Sequence, residues 1–337
     1  MAVLPTTRPT LLDLSKRTDP DGNIAEIVEL LEQELPILQD MTFQEGNLPT
    51  GHRTTVRTGI PTPTWRKING GVQPTKSTTA QITANTGMME AYAEVDKALA
   101  DLNGNEATWR MTEEWGHVEG MRQEAERTIF YGNEGSQPEA FTGLTPHYSD
   151  RTAVSGANII NAGNDGAPTT DNQSIWLVGW GANTVHGIIP KGSNAGLQIT
   201  DKGQVTIENA DGQGGRMEGY RTHYRWDMGL VVRDWRYVVR IANISKAALT
   251  SDAATGPNLP NLMFEALERI QSLGGVTPVF YASRAIITKL RQQSANAVKN
   301  STLTIDNVGG VMRQDFNGVP IKRADALKAD EAYVPAT

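Results

Sequence analysis

Glu113 and His117 stand four residues apart in EEWGHVE, a spacing that puts a carboxylate and an imidazole on one face of a helix. A zinc-binding helix of the zincin type needs two histidines four apart with a glutamate beside the first, and here a single histidine stands alone. A solvated or interfacial helix face is the better account. The five histidines, His52, His117, His147, His186 and His223, have no ligand spacing. Ser155 in AVSGAN and Ser193 in KGSNAG sit in turn-like surroundings rather than in a G-x-S-x-G elbow, so neither has the setting of a nucleophile. No glycine-rich phosphate cradle follows a strand. The carboxylate pairs Asp165 with Asp171 and Asp201 with Glu208 have the chemistry to hold calcium or an inverting glycosidase's water, but no aromatic cleft signature surrounds them. The expectation is no catalytic residue, no cofactor and no metal.

Charge is a better guide. Between Glu45 and Glu90 there is no acid, while Arg53, Arg57, Arg66, Lys67 and Lys76 all fall in that interval. The preceding stretch is the reverse: Asp19, Asp21, Glu26, Glu29, Glu32, Glu34, Asp40 and Glu45 occur with no Lys or Arg between Arg17 and Arg53. A nucleic-acid groove would interleave several aromatics with its cations, and only Trp65 is present. Docking of the basic segment on the acidic segment of another copy is the closer electrostatic match.

A second cluster is RWDMGLVVRDWRYVVRIANI, residues 225–244. Its apolar set is Trp226, Met228, Leu230 and Val232, then Trp235, Tyr237, Val239 and Ile241, so the alternation changes parity at Arg233-Asp234. A one-residue shift sends every side chain of a strand to the other face, which calls for a bulge or tight turn there. Arg236 and Arg240 then share a face opposite Trp235, Tyr237, Val239 and Ile241, and are expected to meet a neighbouring subunit or the opposite strand.

The elements that must position these residues belong to a chain of 337 residues, long enough for one large domain or two ordinary ones. Its net charge is -7 and its pI about 5.4, which gives no overall positive footprint for gripping phosphates. The absence of cysteine removes disulfides and thiolate chemistry. No 18-residue apolar run or signal-type apolar start is present, so no membrane span is expected. With 33 Gly and 17 Pro spread beside many Asn and Thr, turn-rich extended chain should alternate with a few helices, an α+β pattern.

Along the chain, residues 1–18 read as an extended arm. Asn23 and Glu26 have capping-box spacing ahead of an apolar stripe, Ile24, Ile27, Val28, Leu31 and Leu35, that predicts a first helix. Residues 52–76 predict a long β-excursion turning at Asn69-Gly70-Gly71. Met88, Tyr92, Val95, Leu99 and Leu102 predict a helix ending at Asn103-Gly104. A longer one is expected over 108–131, with Met111, Trp115, Val118, Ala125 and Ile129 on its apolar side and Arg110–Glu114 and Arg122–Glu126 pairs elsewhere. Short strands SIWLVGW, HGIIP and QVTIENA lead to the 225–244 strands. Then come a helix with Leu262, Ala266, Ile270 and Leu273 on one face, strand TPVFYA, a helix from Ser283, and a hairpin turning at Asn317-Gly318.

Taken in order, these parts resemble the major capsid proteins of tailed bacteriophages with the HK97 fold. The closest local match is FYGNEGSQPEAFTGL at the exit of the long helix; EALERIQSLGGVTPVFYASRAIITKLRQ is similar to that family's A-domain helix, strand and helix, and DFNGVPIKRADAL to the hairpin that follows. The resemblance implies an N-terminal arm with a short helix at 1–45 and an extended E-loop at 46–86. It implies a P-domain at 87–140 with its spine helix at 108–131, and an A-domain-like or inserted β-rich region at 141–203. Long P-domain strands at 204–247 and an A-domain at 248–337 complete it. In that family the long strands usually come last, so their early position here implies either a permuted connectivity or an insertion. The implied function is a coat protein that self-assembles into an icosahedral shell around phage DNA, in hexamers and pentamers of itself, through interlocking arm and E-loop contacts. Scaffold, portal and decoration proteins are further implied partners. The DNA is enclosed without sequence-specific binding, and the setting is the virion, assembled in the host cytoplasm. The expected intersubunit contacts are Arg53, Arg57, Arg66, Lys67, Lys76, Glu29, Glu32, Arg236 and Arg240. Non-covalent locking is expected, since nothing fixes an asparagine partner for Lys67 or Lys76. A β-rich carbohydrate-binding or glycosidase-type protein is the alternative that the Gly, Asn and Trp content of 141–220 suggests.

Overall fold

The computed structural model describes residues 33–102, 106–163, 169–208, 214–253, 255–296, 303–308 and 311–336. The expected arm at 1–18, nearly all of the first helix, Glu29, Glu32 and Asp165 lie outside them. The described chain divides into two compact units. One holds Pro36–Gly87, Thr128–Ser193 and Met228–Thr337; the other holds Met88–Arg127 and Asn194–Asp227 with 33–35. The 204–247 segment, expected to serve one domain, is therefore shared between the units at Asp227/Met228.

In the larger unit the central strand is β5 (Asn172–Trp180), buried along its whole length as a strand covered on both faces must be. It pairs antiparallel with β10 (Thr277–Ala282) and β9 (Val238–Ser245). β10 continues parallel to β13 (Val319–Arg323), which pairs with β12 (Val311–Phe316), itself beside β11 (Leu303–Val308). β9 pairs parallel with β4 (Ile159–Asn161). Two helices cover one face: α2 (Leu259–Arg269), whose N-cap Asn258 accepts from the backbone of Asn261, and α3 (Arg284–Asn296). Leu259, Met263, Ala266 and Ile270 from the α2 segment, and Ile286 and Leu290 from α3, pack on Ile175, Leu177, Val239, Ile241 and Phe280. Each of these side chains larger than alanine contributes roughly 1.5–3 kcal/mol of burial. Leu273, expected on the same face, is largely exposed because the helix has already ended. The hairpin turns at Asn317 (φ 51) and Gly318 (φ 81), the left-handed pair that its sequence demands.

The exit of the long helix α1 (Glu106–Tyr131) is a close backbone approach. Gly143 donates to the carbonyl of Gly132, and a Cβ on Gly143 would lie 2.4 Å from Thr128 O and 2.6 Å from Ile129 O. Gly132, where a Cβ would lie 2.4 Å from Phe141 O, and Gly143 are thus steric requirements.

In the smaller unit, residues 88–96 are strand, where a helix was expected. They end β3 (Thr78–Asp96), and only Lys97–Ala100 makes a single helical turn. Inward residues alternate as Met89, Ala91, Ala93 and Val95, while Met88, Tyr92 and Leu102 are exposed. This window satisfies both a 3.6 and a 2.0 period, and pairing with β8 (Arg216–Val232) decides between them. β7 (Gln198–Glu208) pairs antiparallel on the other edge of β8. Val118 and Met121 of α1 pack on Ala93, Tyr224 and Trp226. The expected stripe holds there, but Met111 and Trp115 are exposed. Arg110 pairs with Glu114 as spaced, whereas Arg122 takes Glu119 rather than Glu126.

Candidate functional site

β2 (Gly51–Gly59) and β3 form an antiparallel hairpin from Gly51 opposite Asn85 outward to Gly59 opposite Thr78. Between them 60–77 has no strand pairing, and its turn closes where Gly70 donates to Lys67 O with Asn69 at φ 65. The NGG turn lies where the sequence put it. Arg53, Thr55 and Arg57 alternate outward along β2. Arg53 donates to Thr83 Oγ1 at 3.3 Å. Arg57, Arg66, Lys67 and Lys76 are exposed, and none of the five cations forms an ion pair with another described residue. The same segment carries bare apolar side chains: Trp65 is 103% exposed, Ile68 92% and Ile60 84%. In the sequence Trp65 reads as a base-stacking residue, although a Trp flanked by Ile and cations in a β-excursion is also the composition of an interface.

The acidic stretch is partly committed within its own unit. Asp40 Oδ1 takes Lys322 Nζ at 2.5 Å, Asp40 Oδ2 accepts from Tyr281 at 2.7 Å, and Glu45 accepts from the backbone of Gly192 at 3.1 Å.

The parity change at Arg233-Asp234 is a tight turn. A 3-10 turn, Trp235–Tyr237, separates β8 from β9, and Asp234 caps it by accepting from the backbone of Arg236. Burial opposes ionisation of Asp234, yet the bonds from Arg236 hold its carboxyl below the usual range. Arg236 is half-exposed and paired to Asp234. Arg240 is different, and corrects the expectation that it meets a neighbour. It is 2% exposed and spends its donors inside the unit: Nη2 on Glu331 at 2.8 Å, Nη1 on the carbonyl of Tyr148 at 2.8 Å, Nε on Ser174 at 3.1 Å. Its guanidinium also lies 5.1 Å from the Trp176 ring centroid. Glu331 further accepts from Ser174 and Tyr131, and burial with this carboxylate beside it drives the Tyr131 phenol far up. With the 3-10 turn in between, Arg236 and Arg240 do not share a strand face.

The remaining chemical candidates have structural partners. His117 stacks on Tyr224, Ser155 donates to the carbonyl of His147, Asp201 takes Arg110 at 2.8 Å, and Glu208 takes Arg216 at 3.2 Å. Among the described residues no group of three or more His, Cys, Asp or Glu is arranged to hold a metal, and no helix is long and apolar enough to cross a membrane.

Residues 19–335 match the model of a family described as Major capsid protein GP7. Among solved structures, the chain is similar to one from the near-atomic cryo-EM structure of bacteriophage epsilon15, at 37% identity and TM-score 0.79, over 100% of each chain. It is also similar to a chain of the bacteriophage JBD30 capsid, at 12% identity and TM-score 0.51, over 88% of this chain and 93% of that one, a likeness of fold alone. No curated protein matches the chain.

Proposed function

Because this chain belongs to the major capsid protein GP7 family, we propose that its β2–β3 hairpin is the part that one copy lays on the next to lock the shell. The protein is a structural component of a phage capsid with an HK97-like α+β fold, and it works as many copies of itself. The carbohydrate-binding alternative falls with that assignment. The observation that carries the docking proposal is the coincidence, on one acid-free segment, of exposed Arg57, Arg66, Lys67 and Lys76, which form no ion pair among the described residues, with the bare side chains of Ile60, Trp65 and Ile68. Four exposed cations without an ion pair among the described residues, and a solvated tryptophan, are poor features of an isolated subunit and good ones of a surface awaiting its complement.

Glu29 and Glu32 are the proposed acidic partners of Arg53, Arg57, Arg66 and Lys67, since Asp40 and Glu45 are spent within their own subunit. Arg236, half-exposed at the turn before β9, stays a proposed contact. Pentamers and hexamers closed around double-stranded DNA, with scaffold, portal and decoration partners and assembly in the host cytoplasm, belong to the same reading. So do an arm at 1–45, an E-loop at 46–86 and a role without catalysis. The test is charge reversal: Arg57→Glu with Arg66→Glu should abolish or strongly weaken shells seen by electron microscopy while circular dichroism of the subunit is unchanged. Shells in wild-type yield would overturn the docking role.

A further inference from the structure

At the root of the hairpin two imidazoles are enclosed beside a guanidinium. His52, second residue of β2, is buried, and its Nε2 lies 3.1 Å from Nη2 of Arg233. Arginine has only donors, so this nitrogen must be the acceptor and the proton of neutral His52 sits on Nδ1. That Nδ1 is buried with no hydrogen-bond partner. His186, on β6 (Val185–Ile189), is fully buried, neither ring nitrogen has a partner, and its ring meets that of His52 edge-on at 6.0 Å between centroids. Arg233 is held in place by Ala182 O at 3.0 Å, Asn183 Oδ1 at 3.3 Å and Thr54 Oγ1 at 3.4 Å, so it cannot simply swing away.

We propose that His52, His186 and Arg233 form an acid-sensitive joint at the base of the hairpin: protonation of the imidazoles unseats β2 from β6 and frees the hairpin's root. The chemistry is a donor set against a donor. Protonated His52 would point an N–H at Arg233 across 3.1 Å with like charges facing, and protonated His186 would bury a cation without a counter-ion. The surroundings offer no relief. On β3, Ala84 stands opposite His52 and Asn85 opposite Gly51; on β8, Val231 stands opposite His186; and Phe43 of β1 (Phe43–Glu45) stands opposite Gly187, the residue after His186. Arg53 points outward to Thr83, and Glu45 is occupied by Gly192. The cavity of about 80 Å³ beside His52 and Thr54 is lined also by His147, whose pKa is lowered, and by Glu134, which accepts from Asn85 at 2.5 Å; the influences on His52 are burial and Arg233. Burial and Arg233 push both imidazoles the same way, His52 below its ordinary value and His186 down to about 4, with His52 adding to the push on His186. The joint lies within one copy, so it stands or falls independently of what the hairpin docks on.

Backbone hydrogen–deuterium exchange on the full chain, normalised to intrinsic rates, tests it. Exchange over 51–59 and 185–189 should rise about tenfold between pH 6.5 and about pH 4.5 in the wild type. It should stay flat in the pair His52→Gln, which keeps an acceptor for Arg233, and His186→Phe, which fills the site without titrating. A flat wild-type profile, or the same acid rise in the double variant, overturns the joint. If the variant does not fold, histidine C2-hydrogen exchange read by mass spectrometry on the wild type decides. Both imidazoles titrating well below the usual histidine range supports the joint, and ordinary titration of both, or of either one, overturns it.

Discussion

Removing the Arg240 guanidinium would leave Glu331 as a buried carboxylate with its cation gone, while Tyr148 O and Ser174 would lose their donor. Breaking a buried pair from one side costs about 3–5 kcal/mol, because the orphaned charge stays desolvated. Arg240→Ala is therefore expected to lower the unfolding free energy of the subunit, read from urea denaturation, by that amount; a change under about 1 kcal/mol would mean that water reaches the site. Trp65 is the opposite case. It touches little in its own chain, so Trp65→Ala should leave subunit stability within about 0.5 kcal/mol while reducing shell yield on sizing columns. The first variant should cost folding and spare assembly; the second should do the reverse.

At the scale of elements, the α1 exit shows how a few glycines set a fold. Gly143→Ala forces a methyl to within 2.4 Å of Thr128 O, and the helix end cannot yield without losing the bond from Gly143 to Gly132 O. The expected cost is about 1–3 kcal/mol or more by thermal denaturation, whereas Gly116→Ala inside the same helix, where a Cβ meets nothing within 4 Å, should stabilise by up to about 1 kcal/mol. Equal effects at the two positions would remove the steric account. This turn, the Asn317-Gly318 hairpin and α2 with its Asn258 cap were legible because their determinants are local. The strand at 88–96 was not: its side chains fit a helical stripe as well as an alternation, and only pairing with β8 breaks the tie.

Over the whole molecule, charge and pH act on different things. The cations of the hairpin are exposed, so added salt from about 0.05 to 0.5 M should slow shell formation, followed by light scattering, without moving the subunit's melting temperature. The histidines act on stability. A base whose folded pKa is depressed binds its proton more readily in the unfolded chain, so its neutral form favours the native state above pH 6.5, and that advantage is lost as the pH falls toward the folded value, about 4 for His186. Chemical denaturation at a series of pH values should show stability falling through this window, with less of a fall in His186→Phe.

Composition and local spacing determined much of this protein before any contact was known: an α+β chain without cysteine, a long helix expected over 108–131 and found over 106–131, a bulge or turn at Arg233-Asp234, and a basic excursion free of acids. These follow from period, parity and turn chemistry, which act over a few residues. Tertiary structure alone decided where long-range charge goes. Arg240 finds Glu331 across 91 residues and becomes core on the buried strand β9, while Arg57, with the same charge on the largely exposed hairpin strand β2, stays in solvent. The apolar neighbours Val238, Val239 and Ile241 mark Arg240's segment as more buried than Arg57's, but nothing near it names Glu331 as its partner, because that pairing is set by which segments the fold brings together.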